Sequence, residues 1–280
     1  MKQSARNRTY RDSQYDPLQG ISDRKRLGVV GAALDYRGGT ELDWHTHSRG
    51  QFIYATSGAM FVRTRREFFV VPSLMAVWVP GGVEHWVGMQ GATSMRTVYF
   101  ARARSPRPPN QCDVVAVSPL LRELILAFID RQSAGAFDDL QLLADMLWRE
   151  IAAATAEPLL LPMPSDKRVR PILRMAMAGS LVGKTLREAL GSVPASPRTV
   201  ERIFERETGL TLGRWWRQAK LLNSISELVQ GKPVTEVALN AGYSTASAYT
   251  YMFRRTLGTA PTRYLLLRAE AAGGSGYSGR

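Results

Sequence analysis

The three histidines of this chain are His45, His47 and His85. His45 and His47 stand two residues apart, so in a β-strand both imidazoles point to one face, and His85 follows the turn residues PGGVE on a later strand. Imidazoles converging in this way can hold a divalent transition metal, with Gln51 as a weak fourth ligand or a hydrogen-bond donor. The same side chains can equally be the hydrogen-bonded walls of a metal-free pocket for a small molecule. No carboxylate belongs to the set, which lowers its affinity for any metal. Trp44, Phe52, Tyr54, Trp78 and Trp86 flank these positions, and either line an apolar or aromatic pocket or fill the core around it.

A second set of residues suits a different chemistry. In TEVALNAGYSTASAYTYMFRRTLG, from Thr235 to Gly258, the residues Val237, Ala238 and Ala241 recur at helical spacing. Gly242 breaks the pattern, and Tyr249, Met252 and Phe253 then share one side of a second segment. The spacing predicts two short helices across a tight turn, with the small Ala238 allowing close approach and Gly242 free to take a left-handed conformation. Ser247, Thr250, Tyr251 and Arg254 lie on the outer face of the second helix, and all can bond to phosphates or base edges.

This unit occurs twice. SPRTVERIFERETG, forty-nine residues upstream, aligns Val200, Ile203 and Phe204 with Tyr249, Met252 and Phe253, Arg206 with Arg255, and Gly209 with Gly258. Between the copies, Leu212, Trp215, Trp216, Ala219, Leu222, Ile225 and Leu228 form a stripe of helical period over Thr211 to Gln230. At about 1.5 Å per residue such a helix spans roughly 30 Å, close to the ~34 Å turn of B-DNA. Two outer helices held that far apart can enter successive major grooves on one side of a duplex.

The region from about Thr185 to Tyr264 resembles the AraC/XylS family of bacterial transcription regulators, through RIFERETG, the linking helix, AGYS, FRRTLG and the pair Ala260 and Pro261. The resemblance implies DNA contacts by Arg198, Glu201, Arg202 and Arg206 in the first unit, and by Ala246, Ser247, Thr250, Tyr251 and Arg254 in the second. Arg198, Glu201 and Arg202 take the base-facing places of the first unit, and Ala246, Ser247 and Tyr251 those of the second. Two departures are expected in the first unit, where Leu190 and Pro194 stand in place of a small residue and a turn glycine. Tyr251 replaces a frequent arginine and Ala246 offers only apolar contact, so direct readout is expected mainly from the first unit.

Ahead of this region, from about Leu27, short apolar runs such as GQFIYATSG, EFFVVP, MAVWVP and MRTVYF alternate with turn residues, as in a sandwich or barrel. Residues 28–100 resemble a cupin, a small double-stranded β-barrel: Gly39, His45, His47, Gln51 and Gly58 fall on its first motif, with Gln51 in place of glutamate. Pro80, Gly82 and His85 fall on the second motif, where Leu74 and Met89 replace the flanking Gly and Asn. The resemblance implies an effector-sensing and often dimerising domain, with His45, His47, Gln51, Trp44, Tyr54, Trp78, His85 and Trp86 around the effector.

The expected organisation is thus α+β and multidomain: a flexible arm over 1–26, a cupin barrel over 27–101, a helical packing or dimerisation segment over 112–156, an all-α domain with two helix-turn-helix units over 166–268, and a disordered tail over 273–280. RARSPRPPNQ, from Arg102 to Gln111, and the proline-bearing Ala156 to Ser165 read as linkers. Between them, Pro119 to Arg131 presents Leu120, Leu124, Ala127 and Phe128, and Phe137 to Thr155 presents Leu140, Leu143, Met146, Leu147 and Ile151. Asp166 to Gly179 reads as the first helix of the DNA-binding domain, and Thr185 with Glu188 as a capping box.

Charge supports the division. The chain of 280 residues has a net charge of +13, of which residues 166–280 carry +10. Concentrated basic charge fits a binder of phosphate backbones. The single Cys112 excludes an intrachain disulfide and suits a reducing cytoplasm, and no run approaches the ~20 apolar residues of a membrane span. The expected protein is a cytoplasmic, effector-controlled transcription regulator without enzymatic activity, acting as a homodimer on double-stranded DNA, and on RNA polymerase if it activates. The alternatives are a regulator whose signal is a metal at His45, His47 and His85, and a metal-dependent cupin enzyme with a helical appendage.

Overall fold

The computed structural model describes residues 28–271, apart from 74, 109–110, 137, 158, 178–180, 182–183 and 258. The arm expected over 1–26 and the tail over 273–280 lie outside the described residues, as do Leu27, Leu74, Phe137, Pro158, Gly179 and Gly258. The chain forms two compact units: one holds Val71–Glu157 with the described residues up to Val62 and from Leu267 on, and the other holds Pro158–Leu266 with Arg63–Val70. No described helix is long and apolar enough to cross a membrane.

The first unit is an antiparallel β structure covered by two helices. Its strands are β1 (Val29–Tyr36), β2 (Glu41–His45), β3 (Gly50–Arg63), β5 (Met75–Val79), β6 (His85–Phe100), β7 (Asp113–Ala116) and β8 (Ala156–Glu157), with β4 (Glu67–Pro72) following β3 in the chain. They run in the order β1-β6-β3-β5-β7-β8, and β2 also pairs with β6. The sixteen-residue β6 is long enough to serve two partners besides β3: Phe100 to Thr93 face Val29 to Tyr36 of β1, while Gly88 to His85 face Glu41 to His45 of β2. The fourteen-residue β3 carries Gly58, whose φ is +83° and where a Cβ would come within 2.4 Å of the Ala92 carbonyl oxygen.

Helix α1 (Pro119–Ala134) is fixed at its start by the Ser118 hydroxyl, which accepts from the Leu121 N–H, and at its end by Gly135 in the left-handed region. It packs with α2 (Leu140–Ala153) on one face of the sheet through Leu121, Leu124, Ile125 and Phe128, with Leu140, Ala144, Leu147 and Ile151 from α2. Of the expected stripe, Leu124 and Phe128 are in the core, whereas Leu120 is exposed and Leu121 takes its place. Both leucines fit a helical period, and the sheet selects between them. Gln132 fastens α1 to β1, donating to the Gly31 carbonyl at 2.8 Å and accepting from the Gly31 N–H at 3.0 Å. This replaces ladder bonds that an edge strand would leave open.

Both expected linkers are tied down. In the first, Arg107 pairs with Asp113 at 3.1 Å and donates to the carbonyls of Ile151 and Ala154, at 3.2 and 2.9 Å. In the second, β8 pairs with β7, and β9 (Leu160–Pro162) pairs with β4, Phe68 facing Leu161. Pro162 stands at the end of β9, where a missing N–H is tolerated, while Leu159 and Leu161 are buried.

The second unit is helical apart from this strand pair: α3 (Arg170–Met177), α4 (Leu186–Gly191), α5 (Pro197–Thr208), α6 (Leu212–Val229), α7 (Val234–Asn240), α8 (Ala246–Leu257) and α9 (Pro261–Ala271). The capping box at Thr185 and Glu188 is formed at the start of α4.

Candidate functional site

In the first unit the pairing of His45 with His85 across β2 and β6 brings the histidines together. The ring centroids of His45 and His85 are 4.3 Å apart, and those of His47 and His85 are 5.1 Å apart. One nitrogen from each of the three lies within 4.8 Å of the others. Each Nδ1 is directed at a backbone carbonyl: His45 at Asp43 (2.7 Å), His47 at Arg49 (2.5 Å) and His85 at Val83 (3.0 Å). A neutral imidazole with its proton on Nδ1 presents a bare lone pair at Nε2.

Gln51 joins these nitrogens. Its Oε1 lies 2.9 Å from His47 Nε2 and 3.2 Å from His85 Nε2. Its Nε2 donates to the Tyr99 hydroxyl at 2.8 Å and to Thr97 Oγ1 at 3.0 Å, and the Thr97 hydroxyl in turn donates to the Phe52 carbonyl. Thr97 therefore sets the amide with its oxygen toward the histidines, where it meets lone pairs instead of protons. The three imidazoles could hold a metal ion, and the donor set of imidazole and amide oxygen fits a divalent transition metal.

Burial, with help from the neighbouring imidazoles of His45 and His47, pushes the pKa of His85 down to about 3, and burial also lowers that of His45. An unfolded imidazole takes its proton near pH 6.5, so between pH 6.5 and 3 the unfolded chain binds more protons than the folded one. Stability of this unit is thus complete above pH 6.5 and falls as the pH drops toward 3. Thermal melts in chelator at pH 7, 6 and 5 are expected to show the decline, and a flat profile would contradict the neutral, buried state of His85.

The aromatic residues do not join this site as a group. Phe52, Tyr54 and Trp78 belong to the core beneath α1 and α2. Strand alternation sends them to the face opposite Gln51, so the expectation that Tyr54 and Trp78 line the pocket is corrected to core packing. Trp44 and Trp86, neighbours of His45 and His85 on their strands, are only partly buried, and the Trp86 ring lies over Gly88. Tyr99, which sequence reasoning missed, packs edge-on to His47 with ring centroids 5.4 Å apart. Its two-residue spacing from Thr97 was the available clue, but the partner strand supplies the meaning.

In the second unit, α6 carries a recognition helix toward each end. Phe204 of α5 stacks edge-on against Trp215 near the start of α6 at 4.9 Å, and Tyr249 of α8 bonds to Ser224 farther along at 2.8 Å. Arg198, Glu201, Arg202 and Arg206 are exposed along α5, with Arg206 paired to Glu207 at 2.7 Å. Ala246, Ser247, Thr250, Tyr251 and Arg254 together line one shallow depression of α8, with Tyr251 65% exposed. The first unit also has its small residue after all. Ala189, forty-nine residues before Ala238, is fully buried as Ala238 is, while Leu190 is only partly buried. Val193, not Pro194, stands at the place of Gly242.

A β unit of this kind ahead of two helix-turn-helix units on one connecting helix defines a DNA-binding transcription regulator. Residues 192–266 match the family described as a helix-turn-helix domain. The chain is 32% identical over 222 residues to the HTH-type transcriptional regulator NimR of Escherichia coli, covering 79% of this chain and 81% of that protein. It is 32% identical over 66 residues to the regulatory protein SoxS of Salmonella typhimurium, covering 23% of this chain and 62% of that one. Among solved structures, unsaturated fatty acid bound ToxT of Vibrio cholerae is similar at 10% identity and a TM-score of 0.35, over 89% of this chain and 97% of that one. The chain belongs to the AraC/XylS family of transcription regulators.

Proposed function

We propose that this regulator reads a bipartite DNA site with α5 and α8 and changes that binding when a small effector occupies the histidine site of the β unit. The observation that carries the reading is that one eighteen-residue helix, α6, holds both outer helices, α5 through Trp215 and α8 through Ser224; at about 1.5 Å per residue α6 is long enough to present them to successive major grooves. Arg198, Glu201 and Arg202 read base edges, whereas Ala246, Ser247, Thr250, Tyr251 and Arg254 give thymine-methyl and backbone contacts. Arg206 exchanges its exposed pair with Glu207 for a phosphate at little cost. The protein acts in the cytoplasm, and Leu142 and Trp148, exposed on α2, suit a homodimer contact. RNA polymerase is a partner if the outcome is activation.

The test is a pair of substitutions. Arg202→Ala is expected to cost about 1–3 kcal/mol at the specific site and to relax one base position, while Arg254→Ala weakens all sequences alike. Genomic-fragment selection followed by binding titrations on selected and scrambled duplexes measures both. A loss for Arg202→Ala that is uniform across sequences would remove it from base readout.

The acceptor cluster supports a metal as part of the effector site. His45, His47 and His85 would hold it through Nε2, with Gln51 Oε1 as fourth ligand. The bound ion would supply a Lewis-acidic position for an oxygen or nitrogen of the effector. Three neutral imidazoles and an amide leave the full ionic charge uncompensated, which favours an anionic effector. With its amide turned over, Gln51 would instead give both N–H groups to His47 and His85, the metal-free arrangement. Gln51→Glu separates the two: with a metal, the added carboxylate tightens retention against chelator, measured by mass spectrometry of the purified protein and by melting with added metal. Protein that carries no metal, and whose melting ignores added Mn²⁺, Ni²⁺ and Zn²⁺, would leave an organic effector alone in the site.

A further inference from the structure

Between the two helix-turn-helix units lies a cleft of about 530 Å³ that neither recognition helix accounts for. Lys184, Thr185 and Leu186, at the start of α4, form one wall. Trp216, Arg217 and Lys220 of α6 form its floor, and Gly242 to Ser244, with Ala248 of α8, close the other side. Three cations thus face one concavity. The acid beside them is Glu188, whose carboxylate accepts from the Thr185 N–H in the capping box.

Lys220 is held in the cleft on two sides. Its ammonium lies 5.9 Å from the centroid of the Trp216 ring. On the other side it passes so close to the α7–α8 turn that a Cβ at Gly242 would stand 2.4 Å from Nζ. Gly242 therefore does two things: its φ of +80° makes the turn, and its missing side chain admits the ammonium. Burial lowers the pKa of this lysine, an effect that nearby Glu188 only partly opposes. An anion in the cleft would relieve that cost.

The location identifies the anion. Lys220 is at the middle of the eighteen-residue α6, midway between the helices assigned to successive major grooves. What faces a protein there is the sugar-phosphate backbone bordering the intervening minor groove. The walls include the first turn of α8, the end of a recognition helix that contacts DNA, and the start of α4, the first helix of its unit, which in a helix-turn-helix crosses the backbone.

We infer that Lys184, Arg217 and Lys220 form a phosphate clamp that grips the DNA backbone between the two half-sites and fixes the register of both recognition helices without reading sequence. The inference rests on the two-groove reading above. The clamp sets where α5 and α8 fall along the duplex, and supplies salt-dependent affinity through counterion release.

The test uses the full chain, a selected genomic duplex and a scrambled duplex, titrated by fluorescence anisotropy between about 50 and 200 mM salt. Lys220→Gln is expected to reduce the slope of log K against log salt by about 0.9 on both duplexes, leaving the ratio between them unchanged. Lys184→Gln, at an exposed position where folding is not in question, is expected to shift the slope the same way. A duplex with neutral methylphosphonate links midway between the half-sites should weaken the unsubstituted chain more than it weakens Lys220→Gln, which keeps Lys184 and Arg217. Wild-type slopes retained by both variants, or a methylphosphonate effect equal in wild type and variant, would overturn the clamp. Failure of the unsubstituted chain to prefer the genomic duplex would instead overturn the two-groove reading.

Discussion

Replacing Leu222 with proline is expected to reduce binding at the bipartite site to the level of random DNA. Leu222 is fully buried on α6, between Trp215, which meets α5, and Ser224, which meets α8. Proline there removes the bond to the carbonyl four residues back and clashes with it, at about 3 kcal/mol. The kink re-aims one recognition helix relative to the other, so that only one can sit in its groove. Specific over non-specific binding is typically about 10³-fold or more, and that ratio is what should vanish. The measurement is the ratio of Kd on selected and scrambled duplexes, with circular dichroism to follow helix content. Leu222→Met, of similar volume, should keep the ratio. An unchanged ratio in Leu222→Pro would mean that α6 does not set the spacing.

Truncating Trp78 to alanine is expected to destabilise the β unit by about 3–5 kcal/mol, the range for large aromatic side chains removed from a core. Its ring covers Gly50 so closely that a Cβ there would stand 2.2 Å away, and it meets Phe100 edge-on with centroids 6.0 Å apart. Little can collapse into the space, because β3 and β5 are locked by their ladder from Gln51 to Tyr54. At roughly 2–4 °C per kcal/mol for a unit of this size, the melting temperature should drop by well over 5 °C. The variant also separates the two faces of the sheet. If Trp78 lined the effector site, the substitution would alter metal or effector binding with little change in melting. Since the histidines lie on the other face, the expected result is the reverse: lower melting, with the metal affinity of the folded protein retained.

Much of the regulator was legible in the residues because its information is local. The helix-turn-helix units depend on 3.6-residue periodicity, a glycine at the turn and a duplicated spacing of forty-nine residues, all of which lie within short segments. The histidine pair two residues apart was likewise readable, since strand alternation alone puts both rings on one face. Alternation could also have excluded Trp44 and Trp86 from that face, and Tyr54 from the face of Gln51, but Trp78 needed its pairing with Phe52 before its face had a meaning. Only α1 and α2, packed on that side, make it a core.

Sequence alone therefore determined the family, the two helix-turn-helix units, the linking helix between them and the three histidines with Gln51. Tertiary structure decided the rest. It chose Leu121 over Leu120 by offering one side of α1 to the sheet, and turned two proline-bearing linkers into paired strands and a fastened loop. It aimed the Gln51 amide through Thr97 and Tyr99, forty-six and forty-eight residues away. It also gathered Lys184, Arg217 and Lys220 into one cleft, although nothing in their spacing marks them as a set. The physical reason is common to all four: each depends on a neighbour brought by the fold, and a contact between distant segments leaves no period in the chain.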